Sequence, residues 1–215
     1  MNPRIYYLFP AFPLLFAAGS VWIERWRVAW VKPVWCALMV LMGAMLAPTL
    51  LPLLPPETYI RYARATHLEQ PRLENHQLGP LPQLFADQFG WQDMASAVAR
   101  VYWALPADVR ARTAIFGQNY GQAGAINVLG RRYGLPEAIS GHQNFFLWGP
   151  RGYTGESIIV MGDRREVLER EFGFVQKVGH VAHPYAMPYQ HIDIFYCREP
   201  KQSLAELWPH VKKWD

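Results

Sequence analysis

Apolar positions run almost unbroken through the first quarter of the chain and recur only periodically afterwards. Residues Pro33 to Leu54 carry no charge, and another apolar run, Ile5 to Ile23, precedes them. About 20 apolar residues at roughly 1.5 Å rise each match a hydrocarbon core of roughly 30 Å. The pattern therefore predicts two transmembrane helices. Pro52, Pro55 and Pro56 end the second, because proline lacks the amide donor and crowds the preceding turn.

Past Pro56 the periodicity changes. Residues 57–89 are polar and irregular, with Pro71, Pro80 and Pro82, and predict a short helix near Thr58 to Ala65 and then a long connection. Met94, Val98, Val101, Tyr102 and Leu105 recur at helical spacing, so Gly90 to Leu105 is predicted as a helix stopped by Pro106. Thr113–Gly117 and Ser157–Met161 read as short buried strands, and Phe174–Val181 and His191–Cys197 as two more. Gly121 to Tyr133 reads as a helix closed by Gly134, and Asp163 as the cap of a charged helix running to Phe172. Leu204, Leu207, Trp208, Val211 and Trp214 form a helical stripe, which predicts a final helix over Ser203 to Trp214. Strands alternating with helices indicate a small α/β layer structure with helices packed on one sheet. The expected organisation is two transmembrane helices over 1–56, a connection over 57–89 and an α/β domain over 90–215.

Composition sharpens this division. The mean hydropathy of −0.06 averages a lipid-like first quarter with an ordinary globular remainder. The net charge is +4, and the basic residues are scattered rather than gathered in a run, which argues against nucleic acid as a partner. Cys36 lies in the second apolar run and Cys197 in a strand-like segment, so no disulfide framework is expected.

The first run has small residues at Ala17-Ala18-Gly19-Ser20, as a signal peptide would. Another span follows at once, however, and tyrosines and prolines crowd the run, so a true membrane helix is the better reading. The connection Glu24 to Lys32 holds Arg25, Arg27 and Lys32 beside Trp26 and Trp30. The positive-inside rule places that loop in the cytoplasm and the α/β domain on the periplasmic or exterior side of the plasma membrane.

Three groups of residues invite chemistry. The strand, turn and helix start over Thr113 to Gly124 offer backbone donors for an anion, or simply make a tight connection; a P-loop lysine and a dinucleotide fingerprint are both missing. The stretch Ser140 to Tyr153 mixes aromatic faces with amides and His142, which suits a saccharide surface, a loop on the membrane interface, or core packing. His180, His183, His191 and Asp193 do not have the spacing of a metal site, and no metal or cofactor is expected. No nucleophile elbow is present, and the apolar runs carry no carboxylate from which to build a site in the bilayer.

The segment Arg4 to Gly19 (RIYYLFPAFPLLFAAG) resembles a late membrane segment of the glycosyltransferase family 39 proteins, relatives of protein mannosyltransferases and of the lipid A aminoarabinose transferase. Asn119 to Ile126, Ser140-Gly141-His142, Leu147 to Pro150 and Met187-Pro188-Tyr189 resemble the extracytoplasmic C-terminal domain of bacterial members. The resemblance implies a multi-spanning enzyme that transfers a sugar from a polyprenyl-phosphate donor at the outer face. The catalytic carboxylate of such enzymes lies in a first extracytoplasmic loop with no counterpart here, and Gln122 stands where close relatives are expected to carry Glu. The chain is thus expected to be a C-terminal portion, from a truncated, mis-started or split gene, that needs the missing membrane part and has no catalytic residue of its own. The resemblance further suggests Arg4, Tyr6 and Tyr7 for the lipid-phosphate carrier, and Asn119, Tyr120, His142 and Trp148 for sugar or acceptor contact. The alternative is a membrane-tethered glycan- or lipid-binding accessory module without enzymatic activity.

Overall fold

The computed structural model of the chain describes residues 5–68 and 77–214. It divides into two compact units, Met1–Ala86 and Asp87–Asp215.

In the first unit the leading apolar run starts as a 3-10 helix, Ile5–Ala11, and continues as α1, Phe12–Glu24. Pro10 and Pro13 explain the tighter start: each removes an amide donor from the α-helical ladder. A 3-10 helix rises about 2 Å per residue, so the run still extends about 34 Å. The second run is α2, Val31–Leu50. Both are long and apolar enough to cross a membrane: mean hydropathy is 1.3 over Tyr7–Glu24 and 1.8 over Val31–Leu50, and almost none of either is buried within the protein. The polar stretch contains α3, Pro56–Thr66, with Pro56 in its first turn, and α4, Gln83–Ala86. Tyr59 of α3 packs edge-on against Phe85 of α4 at 5.4 Å.

The second unit is a mixed α/β layer structure. Its helices are α5 (Trp91–Ala104), α6 (Ala107–Arg110), α7 (Tyr120–Leu129), α8 (Asn144–Leu147), α9 (Arg165–Glu171) and α10 (Leu204–Leu207). Among the described residues four strands form one sheet in the order β1-β2-β4-β3: β1 Thr113–Gly117, β2 Ser157–Met161, β3 Phe172–Val181 and β4 Ile192–Pro200. β1 and β2 are parallel, with Thr113 opposite Ser157, and β4 runs antiparallel to both β2 and β3.

Strand side chains alternate between faces, and the two central strands are buried on both. Ile115, Ile159, Met161, Ile194 and Tyr196 point to the face covered by α5 and α7. Ala114, Phe116, Ile158, Val160, Phe195 and Cys197 point to the other, covered by Leu168 of α9, Leu204 of α10 and Trp208. At the start of the parallel pair the buried hydroxyls of Thr113 and Ser157 satisfy each other at 2.7 Å.

Several sequence expectations change. The final helix is broken: α10 is one turn, Trp208–Val211 is a 3-10 turn, and Lys213 then pairs in extended form with His142. Pro209 is the cause, since it removes the donor that would continue the ladder. The helix predicted to reach Tyr133 is α-helical only to Leu129 and tightens to 3-10 over Gly130–Tyr133. The cap of α9 is Arg164, not Asp163, whose carboxylate instead accepts the Gln118 side-chain amide.

Candidate functional site

The carboxyl ends of β1 and β2 open onto a cleft, the place where open α/β sheets generally take their ligands. Its first wall is the turn from β1 into α7. Gly117 ends the strand, and a Cβ there would lie 2.8 Å from the Ala123 amide nitrogen, so only glycine lets α7 sit this close. Asn119 caps the helix: its side-chain oxygen accepts the Gln122 amide at 2.9 Å. The Gln122 side chain, only 6% exposed, folds back so that Oε1 accepts the Gln118 amide at 2.8 Å. Gln118 in turn donates to Asp163. The turn is therefore fixed by side-chain amides rather than by charge.

The other walls come from distant parts of the chain. The start of α5 supplies Phe89, Gly90, Trp91 and Met94; the segment entering β4 supplies Tyr189, Gln190 and Ile192. With Asn119 and Gln122 these line a shallow, open cleft. Phe89 is held by stacking on His183, with ring centres 5.1 Å apart. The Tyr189 hydroxyl donates to Asp87. Gln190 accepts the Met187 amide at 3.1 Å through Oε1, and its buried Nε2 has no hydrogen-bond partner in the protein.

The chemistry of this lining is specific. None of the nine lining residues is charged, and three are aromatic beside three amides. Such a surface can stack on an apolar face and exchange hydrogen bonds with hydroxyls. Among the lining residues the ionisable group is the Tyr189 hydroxyl, which donates to the Asp87 carboxylate.

The sequence-predicted residues separate. Asn119 lines the cleft. Tyr120 is exposed next to it, its ring tilted against that of His142 at 4.9 Å. His142 is buried, so it positions Tyr120 rather than lining the cleft. Ser140 Oγ accepts the His142 amide at 3.2 Å and Gly141 lies against Val211, which fixes that segment. Trp148 does not join them: it packs on Phe145 at 4.6 Å, with Arg151 over its ring, in the loop after α8. Tyr7 is exposed in the 3-10 helix; Arg4 and the Tyr6 side chain lie outside the described residues. His180 pairs with Asp193 at 2.6 Å, whereas His183 stacks on Phe89 and the His191 ring meets the His183 carbonyl, so these histidines do not converge.

Phe89, Trp91 and Gln190 were not singled out by sequence, because the cleft is made by packing between segments far apart in the chain. The available signal was indirect: Asn119 and Tyr189 both belong to stretches that carry the family resemblance. Comparison of the chain with family models, curated proteins and solved structures finds no match.

Proposed function

We propose that the chain is the C-terminal part of a membrane glycosyltransferase that uses a polyprenyl-phosphate sugar, with the α/β domain holding a saccharide in the cleft. In this reading α1 and α2 span the plasma membrane, the loop between them is cytoplasmic, and the domain lies on the outer face. The supporting observation is convergence. The stretches around Asn119, His142 and Tyr189 resemble one family domain, and they meet at one end of the sheet although they are far apart in sequence. The uncharged aromatic and amide lining suits a sugar ring with its hydroxyls.

Transfer breaks the bond between the sugar's anomeric carbon and the phosphate oxygen, forms a bond to an acceptor oxygen, and leaves the acceptor's proton to a base. In this reading the chain contributes binding, and the acid–base chemistry comes from other membrane helices of the enzyme. Arg4, with Tyr6 and Tyr7, is assigned to the lipid phosphate, where a guanidinium can pair with two oxygens at once. The uncharged lining also suits one other reading, an accessory module that binds glycan without enzymatic activity.

Titration of the full chain in lipid nanodiscs separates the two. The probes are a polyprenyl-phosphate hexose, the polyprenyl phosphate without sugar, and a methyl hexoside. The transferase reading predicts tightest binding of the lipid-linked sugar, weakened by Arg4→Ala. The accessory reading predicts that the methyl hexoside binds as well and that Arg4→Ala changes nothing. Binding of none of the three refutes both.

A further inference from the structure

A second surface of the α/β domain is built but not used by the cleft. α8 and the residue after it carry Leu147, 66% exposed, and Trp148, 54% exposed. From the other end of the domain's sequence comes Trp214, also 54% exposed. The Lys212 ammonium links the two segments, lying 5.5 Å from the Phe146 ring and 5.5 Å from the Trp214 ring. The backbone beneath these side chains is tied into the domain. Phe146 stacks on Trp208, with planes within 6°, and its carbonyl accepts the Trp208 indole N–H at 3.0 Å. The Gln143 amide donates to the Lys213 carbonyl, and the Lys213 amide to the Gly141 carbonyl, both at 2.9 Å. Arg151 lies over Trp148 and is paired with Glu137.

The composition is two indoles and a leucine beside Lys212 and beside Arg151, which is paired with Glu137. Tryptophan favours the boundary between acyl chains and headgroups, and basic side chains favour anionic headgroups just above it. We propose that this patch docks on the lipid surface of the bilayer, with Leu147 and Trp148 entering the headgroup layer and the basic side chains meeting lipid phosphates. The proposal rests on the reading that α1 and α2 lie in a membrane, which keeps the domain at a bilayer. A lipid surface fits better than a second protein chain because the apolar residues sit at and just after a one-turn helix with positive charge beside them.

The test uses the full chain in vesicles of phosphatidylglycerol and phosphatidylethanolamine, with a nitroxide label and power saturation by oxygen and by a neutral nickel chelate. Labelled Cys36, on α2, reports whether that helix is in lipid. In a Cys36→Ser background, Leu147→Cys reports the patch, and Glu166→Cys, on exposed α9, reports the water-facing surface. The proposal predicts an oxygen-to-nickel accessibility ratio at position 147 several-fold above that at 166, and a further rise when phosphatidylglycerol replaces a zwitterionic lipid. Equal ratios at 147 and 166 overturn it, as does exclusion of both reagents at 147, which means a protein surface covers the patch. A water-like Cys36 signal instead overturns the membrane reading on which the proposal stands.

Discussion

Substituting Gly141 by alanine probes the segment that links the candidate site to the end of the chain. A Cβ at this position falls 2.6 Å from the carbonyl carbon of Val211 and 2.9 Å from its Cβ, so the obstacle is backbone and cannot rotate away. Relief requires residues 211–213 to move off, which breaks the Gln143–Lys213 and Lys213–Gly141 backbone hydrogen bonds. Each contributes about 1 kcal/mol net. Part of the Val211 packing on the Trp208 side of the sheet goes with them, for about another 1 kcal/mol. A loss of about 2–4 kcal/mol follows, which for a unit of this size lowers the melting temperature by roughly 8–16 °C. The assay is thermal unfolding of the full chain in nanodiscs, followed by near-ultraviolet circular dichroism. Gly124→Ala is the control: it lies in α7 with open space around its Cα, so alanine there stabilises by about 0.5–1 kcal/mol. Equal melting temperatures for Gly141→Ala and the unsubstituted chain would refute the reasoning, because the backbone contact it depends on would then be absent.

Three further outcomes follow from the site and its surroundings. Asn119→Ala removes the cap of α7 and costs about 1 kcal/mol, measured by the same melts, whereas Asn119→Asp preserves the acceptor and costs little. The hydrogen bond from Lys177, then that from His180, holds the Asp193 carboxyl below the usual carboxylate range, so its contribution is fully present above that range and fades as pH falls through the lowered value. Asp193→Asn should therefore cost about 0.5 kcal/mol at pH 7, small because the group is solvent-screened, and nothing once the wild-type carboxyl is protonated; a cost that persists in strong acid contradicts this. Burial pushes the Cys197 thiol up to about 12, so a maleimide at pH 7 should modify Cys36 in detergent and spare Cys197 until the domain unfolds, as read by mass spectrometry.

Much of the fold was legible because local pattern decides it. Thr113–Gly117 and Ser157–Met161 are uniform apolar runs between polar turns, and they are strands with those bounds. The uncharged runs at the start of the chain are helices of membrane length. Local pattern failed where distant segments compete. Phe172 reads as the end of a helix, yet it belongs to β3 because it pairs with Pro200 across the sheet. The stripe from Leu204 to Val211 does face the core, but Pro209 and the pairing of Lys213 with His142 turn its second half out of the helix. The site shows the same limit. Asn119 was legible as part of a polar turn between a strand and a helix, whereas the meeting of Trp91, Gln122 and Gln190 is a product of tertiary packing. The resemblance grouped Trp148 with Asn119, Tyr120 and His142, whereas Trp148 lies in the exposed loop after α8.

Saccharide binding at the cleft is the claim most directly open to test, by saturation-transfer NMR of methyl hexosides and pentosides on the full chain in nanodiscs. The account predicts transfer to the ring C–H protons of the sugar, where Trp91 and Tyr189 offer aromatic faces. An aromatic contact is worth about 0.5–1.5 kcal/mol, so Tyr189→Ala should weaken binding by up to about tenfold. Trp148→Ala, outside the cleft, should leave it unchanged. Absence of transfer to any sugar in the panel, or a signal lost in Trp148→Ala and kept in Tyr189→Ala, would contradict the account.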